Sequence, residues 1–347
     1  MSVTIKDVAH LANVAPSTVS RVIANNPRIS QKTKVRVREA MKDLGYHPNF
    51  IARSLANQST HILGLVLPTK SETFFTTPIF AAIVRGLSEG ARERNYSLLM
   101  NTGKSSEEIF DGVVEMVQGG MVDGIVLAYS QTNDELISYL QSRDFPFVTI
   151  GNLDGPDEDM LFVDNDNFTA GKDVTNYLLN LGHERIAFIG GHLSVPMTRN
   201  RLLGYDMALK EYGILPNNDY RLYDDLIKDG AYGVVEKLLA LPVKPTALVV
   251  SDDMISIGIV NALIAKGVSV PEQMSIVSFN NAHAELSYPA LTTINLNIFE
   301  LGYQAANSLI KMLALPGEPV KSPVIPHEIV ERDSCKKFKK TKLASTS

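Results

Sequence analysis

The chain has 347 residues, 45% of them hydrophobic and 20% charged, and a net charge of −5. That length exceeds one ordinary core and points to two or three domains. No apolar run approaches the roughly 18 residues that cross a bilayer, Met1–Asp7 lacks an apolar export core, and the single cysteine, Cys335, has no internal partner, so membrane and exported classes are excluded and a cytoplasmic protein is expected.

Charge is unevenly placed. Residues 1–60 hold nine Lys or Arg against three acids, and the remainder holds 24 against 35. A basic head on an acidic body puts a polyanion contact at the head, although a solvated charged face gives the same count. Residues 4–46 predict three short helices. Thr4 with Asp7 three residues on makes a capping-box-like start, and Ile5, Val8, Ala9 and Ala12 form one apolar stripe. Asn13-Val14-Ala15 lead tightly into Pro16, whose missing N–H is no loss at a first helical position. The second helix sets Val19, Val22 and Ile23 on one side, and Ser17, Thr18, Ser20 and Arg21 on the other. Ser30 caps a third helix carrying Val37, Ala40, Met41 and Leu44, and Gly45 closes it. Two helices joined by about three residues, the second with a short-polar and arginine face, describe a helix-turn-helix.

From residue 61 the pattern alternates. Strand-like runs are Ile62–Leu67, Ser97–Met100, Gly124–Ala128, Phe147–Ile150, Ile186–Ile189, Ala247–Val250 and Ser275–Phe279. Amphipathic helices fall between them, among them Ile79–Arg94, Glu107–Gln118, Ala170–Leu181, Asn200–Tyr212 and Ile255–Lys266. Short buried strands alternating with helices predict parallel sheets covered on both faces. The stretch is too long for one such unit, so two subdomains with a ligand cleft between them are expected. The fold class is therefore a small all-α helix-turn-helix head plus an α/β body of two doubly wound parallel-sheet subdomains. The expected divisions are 1–47 (head), 48–60 (hinge and linker), 61–335 (two-lobed effector-binding and dimerisation body) and 336–347 (polar, Lys-rich, disordered tail).

Thr4-Ile5-Lys6-Asp7-Val8-Ala9 and Val14-Ala15-Pro16-Ser17-Thr18-Val19-Ser20-Arg21-Val22 resemble the N-terminal signature of the lactose-repressor/galactose-repressor family. Ile29-Ser30, Thr33, Leu44-Gly45-Tyr46, Pro48-Asn49 and Ala52-Arg53-Ser54-Leu55 continue it in order. The likeness persists through Gly182-His183, Arg185-Ile186, Arg201 with Gly204, Ser251-Asp252-Asp253, Leu291-Thr292-Thr293-Ile294 and Glu300-Leu301-Gly302, to about residue 333. The Ala15–Arg21 run further resembles repressors of maltose operons.

The resemblance implies a periplasmic-binding-protein-like body and a role for each matched position. Pro16, Ser17 and Arg21 would read bases, Arg21 by a bidentate contact to guanine worth roughly 1–3 kcal/mol of discrimination. Thr4, Thr18, Ser20, Arg28, Ser30 and Thr33 would contact phosphates and fix register; helix capping explains Thr4 and Ser30 as well, and the two roles can coexist. Two departures stand out: Asn13 replaces the usual turn glycine, tolerable because asparagine enters left-handed conformations, and Ala15 replaces the usual Ser or Thr cap. Pro48–Asn57 corresponds to the hinge. Asn49 would cap a helix of about eight residues, marginal in water by itself; Ala52 and Leu55 would meet the minor groove, Leu55 as a wedge that unstacks a base step. Phe74 and Phe75 match an aromatic pair that could stack on a sugar, though they serve equally as core, and Arg201, Asp252 and Asn280 match cleft positions that bond hydroxyls. Asn280-Asn281 stands where the family commonly has two aspartates, which alters the pattern of ligand contacts. The implied partners are double-stranded operator DNA, a sugar effector of maltose type, and a second copy of the chain. A family member governed by a corepressor or a phosphoprotein instead of an inducer is the alternative.

Enzyme readings lack support. Gly86-Leu87-Ser88-Glu89-Gly90 has the spacing of a hydrolase nucleophile elbow but lies inside a predicted helix, not at a strand-to-helix turn. No phosphate-cradling glycine motif opens a helix, and the seven histidines have no ligand spacing, so no cofactor or metal is expected. A transport-type sugar-binding protein would share the two-lobed body but would need export, and this chain carries a basic head instead.

Overall fold

In a computed structural model the chain divides into two compact units, Met1–His61 and Ile62–Ser347. The structure describes residues 3–24, 26–46, 59–67, 78–129, 134–152, 160–223 and 230–339.

The first unit contains α1 (Ile5–Leu11), α2 (Pro16–Ile23) and α3 (Gln31–Asp43) around a core of Val8, Ala9, Ala12, Val19, Val22, Val37 and Ala40. Local chemistry sets each boundary. The Asp7 carboxylate accepts from both the Thr4 N–H (2.8 Å) and the Thr4 hydroxyl (2.7 Å). These bonds hold the Asp7 pKa below the usual carboxylate value. Asn13 takes the left-handed conformation (φ 47°) that the turn requires. Pro16 opens α2 without any side-chain cap from Ala15, Ser30 Oγ accepts from the Thr33 N–H, and Gly45 (φ 61°) ends the bundle.

The second unit is built on two six-stranded sheets. The first has the order β11-β5-β4-β3-β1-β2, from β1 (Ile62–Val66), β2 (Ser97–Asn101), β3 (Gly124–Leu127), β4 (Phe147–Ile150), β5 (Phe162–Asn165) and β11 (Val324–Ile325), all parallel. The second has the order β12-β10-β9-β8-β6-β7, from β6 (Ile186–Gly190), β7 (Arg221–Tyr223), β8 (Ala247–Val250), β9 (Ser275–Phe279), β10 (Thr292–Asn295) and β12 (Glu328–Val330); only β12 runs antiparallel. The same topology thus occurs twice, as expected for a doubly wound pair.

Strand alternation supplies both faces of each sheet. Leu63, Leu65 and Val126 meet α4 (Pro78–Glu93) and α11 (Ile298–Ala314), whereas Val66, Ile125 and Leu127 meet α5 (Ser106–Gln118) and α6 (Glu135–Ser142). In the second lobe Ala247 and Val249 pack with α7 (Asn167–Asn180) and α8 (Pro196–Glu211), and Leu248 and Val250 with α9 (Gly230–Ala240) and α10 (Asp253–Ala265). Each lobe has one helix pair in very close approach. A Cβ on Gly86 of α4 would lie 2.0 Å from the Phe299 carbonyl oxygen, and one on Gly204 of α8 would lie 2.0 Å from that of Phe168. The glycines of the Gly86–Gly90 run therefore serve helix packing, and Ser88 is an exposed residue within α4.

The chain crosses between lobes three times, at residues 165–167, 295–298 and 325–328. One expectation needs correction. The tail read as disordered from Lys336 begins with ordered residues: the Phe338 N–H donates to the Leu181 carbonyl (2.8 Å), Lys336 N–H donates to Ser275 Oγ (3.1 Å), and Arg185 covers the Phe338 ring. The single aromatic residue among the lysines anchors this stretch; residues 340–347 lie outside those described.

Candidate nucleic-acid interface and effector cleft

The three-helix unit exposes the side opposite its core. On α2, Val19 and Val22 are buried while Pro16, Ser17, Ser20 and Arg21 are exposed and Thr18 is half-buried, as a 3.6-residue period dictates. Arg21 makes no side-chain bond to any described residue, so its guanidinium is available to an external acceptor. Thr4 is exposed at the start of α1 and Arg28 in the turn between α2 and α3, and Ser30 Oγ and Thr33 Oγ1 lie 2.9 Å apart at the start of α3. Asn49, Ala52 and Leu55 lie outside the described residues.

In the second unit, polar side chains converge at the C-terminal ends of β6, β8 and β9. In an open parallel sheet the crevice forms where successive connections leave in opposite directions, here between β6 and β8. Helix α8 follows β6 and supplies Arg201, which is only 2% exposed. Its Nε donates to Asn167 Oδ1 (2.9 Å), one terminal nitrogen donates to the Ser251 carbonyl (3.2 Å), and the guanidinium lies 4.2 Å from the centre of the Phe279 ring. Its other terminal nitrogen, Nη2, has no hydrogen-bond partner among the described residues.

Asp252 follows β8 and caps α10, its Oδ1 accepting from the Met254 and Ile255 N–H groups, while its Oδ2 accepts from Asn280 Nδ2 (3.3 Å). Asn280 sits buried just past β9 in a left-handed conformation (φ 69°), and its carbonyl accepts from the Thr293 hydroxyl. Asparagine is among the few side chains that tolerate this geometry. Asp164 of β5 completes the group from the other lobe, its Oδ1 accepting from Asn167 Nδ2 (3.1 Å) and its Oδ2 from the Asn152 N–H (2.9 Å).

Burial dominates the electrostatics. It brings the Arg201 pKa down to about 10 against the opposing pull of Asp164 and Asp252. It also raises the carboxyls of Asp164 and Asp252, in the latter case helped by Asp253. A partly desolvated cation flanked by two carboxylates suits a polyhydroxyl guest, which both donates and accepts. Three of the five residues assigned to the cleft from sequence, Arg201, Asp252 and Asn280, come together; Phe74 and Phe75 lie outside the described residues. Sequence reading missed Asp164, Asn167 and Phe279. Asp164 lies in an unrecognised strand, Asn167 begins a helix, and Phe279 ends a strand where an aromatic reads as core. Among the described residues no group of three or more His, Cys, Asp or Glu could hold a metal ion, and no helix is long and apolar enough to cross a membrane.

A three-helix helix-turn-helix unit followed by a duplicated α/β body is the architecture of a transcription regulator. Residues 4–49 match the bacterial regulatory proteins of the lacI family, and residues 175–335 match the periplasmic binding protein-like domain. The chain is 38% identical over 315 residues to the HTH-type transcriptional regulator MalR of Streptococcus pneumoniae, covering 90% of this chain and 93% of that one. It belongs to the LacI family of transcriptional repressors. Among solved structures, a transcriptional regulator CelR–cellobiose complex is 29% identical with a TM-score of 0.74, covering 96% of this chain and 99% of that one. The lac repressor dimer bound to operator and an anti-inducer shares the fold at 23% identity and a TM-score of 0.80, covering 97% and 100%.

Proposed function

We propose that the chain represses a carbohydrate-utilisation operon by binding a pseudo-palindromic operator as a homodimer, and that a small sugar of maltose type releases it. The observation that carries the sugar reading is Arg201: buried, held by Asn167 and Phe279, and left with an unused donor beside Asp252 and Asn280. Phe74 and Phe75 add the stacking faces. The CelR relative's cellobiose complex and the likeness of Ala15–Arg21 to repressors of maltose operons support a disaccharide.

On the DNA, Arg21, Pro16 and Ser17 read bases, and Thr4, Thr18, Ser20, Arg28, Ser30 and Thr33 hold phosphates. Asn49 caps a hinge helix that Ala52 and Leu55 seat in the minor groove. A hinge helix of about eight residues would be marginal in water by itself, so a change in the body that separates two such hinges would melt them and weaken binding. The candidate surface for self-association is an open groove of about 520 Å³ along α4 and β2, where Phe80, Ala81, Val84 and Met100 lie beside Arg85, Ser88, Glu89 and Arg92. The protein acts where the DNA is, in the cytoplasm.

The test begins by selecting duplexes from a random library with the purified chain. Operator affinity is then measured by fluorescence polarisation across a salt series and with maltose, other disaccharides and phosphorylated hexoses. A steep salt slope, close to one unit per phosphate neutralised, is expected. No preference for any duplex over random sequence overturns the DNA reading. Unchanged affinity and melting temperature with every sugar overturn the effector reading.

A further inference from the structure

The cleft is wired to the crossings between the lobes through one side chain. Asn167 is 4% exposed and is the first residue of α7, immediately after the first crossing. Its Oδ1 accepts from Arg201 Nε (2.9 Å); its Nδ2 donates to Asp164 Oδ1 (3.1 Å) in the other lobe and to the Asn165 carbonyl (3.3 Å). The next link is Asn165, also buried, whose Nδ2 donates to the Leu296 carbonyl (2.9 Å) and the Ile325 carbonyl (3.0 Å). Those carbonyls belong to the second and third crossings. Asn297, left-handed at φ 51°, then joins the second crossing to the third through Nδ2 to the Pro326 carbonyl (2.8 Å). One continuous hydrogen-bonded path therefore runs from the guanidinium through Asn167 to all three segments that cross between the lobes.

We infer that Asn167 is a positioning residue that couples occupancy of the effector cleft to the hinge between the lobes. The inference rests on the sugar-inducer reading for its trigger but not for its geometry. A guest that engages Arg201 Nη2 pulls the guanidinium, and the only bond from Arg201 Nε leads to Asn167. Because Asn167 donates to Asp164 and accepts from Arg201, its two ends report on different lobes. An amide can do both at once, whereas a carboxylate can only accept. Asparagine and aspartate are nearly isosteric, so the two halves of the link can be separated without creating a cavity.

The test uses the full chain bound to its selected operator, with maltose as probe, in three forms: the natural sequence, Asn167→Asp, and the pair Asn167→Asp with Asp164→Asn. Asn167→Asp keeps the acceptor for Arg201 and loses the donor to Asp164. Its maltose affinity is expected to fall at most about threefold, while the maltose-dependent loss of operator affinity shrinks about tenfold, within the 5–150-fold span of allosteric couplings. The reciprocal pair restores a donor–acceptor contact of reversed polarity and recovers at least half of the lost response. A single variant that responds as the natural protein does, or a folded pair that recovers nothing, overturns the coupling. Failure of the natural protein to bind maltose instead removes maltose as the effector. The link is then decided by hydrogen exchange without ligand: Asn167→Asp should speed exchange at 295–298 and 325–328 but not across α5, the pair should slow it again, and unchanged exchange overturns the proposal.

Discussion

Replacing Gly171 by alanine tests whether the close approach of α7 and α8 holds Arg201 in place. A Cβ at Gly171 would lie 2.2 Å from the Arg201 carbonyl oxygen, where ordinary contact begins at 3.4 Å, a shortfall of about 1.2 Å against backbone that cannot rotate away. Overpacking of this kind costs about 3 kcal/mol at the upper end, and alanine's better helix propensity offsets about 1 kcal/mol of it. The net loss of about 2 kcal/mol corresponds to a fall in melting temperature of roughly 3 °C for a body of this size. The same displacement is enough to carry the 2.9 Å bond between Arg201 Nε and Asn167 out of hydrogen-bonding range. Differential scanning fluorimetry with and without maltose should show both the lower melting point and a lost maltose shift. Gly86→Ala is the control: its Cβ would lie 2.0 Å from the Phe299 carbonyl oxygen in the other lobe, so stability should drop while the maltose shift persists. An unchanged melting point for Gly171→Ala refutes the packing argument, and equal loss of the maltose shift in both variants refutes its locality.

Other consequences are separable. Arg21→Ala should flatten base preference at one operator position by roughly 1–3 kcal/mol in a duplex-substitution series, and unaltered specificity removes its base-reading role. Leu55→Ala should weaken selected operator far more than random duplex; equal losses on both argue against a minor-groove wedge. His183 offers a pH test. Its Nε2–H donates to the Lys336 carbonyl (3.0 Å), so Nδ1 accepts from the Thr246 hydroxyl (3.0 Å), and burial lowers its pKa below 6.5. The unfolded chain therefore protonates this histidine first, and the contribution present above pH 6.5 is lost as pH falls below it. The melting temperature should drop over that window, and His183→Gln should flatten the drop.

The outward face of α2 was legible because its signals are local. Pro16 at a helix start, Val19 and Val22 three apart, and Ser17, Ser20 and Arg21 between them define which side of α2 faces outward once the apolar side is buried. Asn13 in the turn carried its own conformational reason. The long apolar strands were equally visible, from Ile62–Val66 to Ser275–Phe279. Strands β5, β7, β10, β11 and β12 were not: they span two to four residues, and Phe162–Asn165 and Thr292–Asn295 mix polar and apolar groups. Their extended form comes from pairing with neighbours far along the chain.

By itself, then, the order of residues determined the helix-turn-helix, the duplicated βα pattern and, by likeness, which cleft residues to watch. The tertiary structure alone decided that Asp164 and Asn167 stand against Arg201, that glycines bring α7 and α8 together there, and that Asn165 ties three crossings. The physical reason is distance along the chain. A helix face is set by residues three and four apart, whereas Arg201 and Asn167 are 34 residues apart and Asn165 and Ile325 are 160, and only folding makes them neighbours.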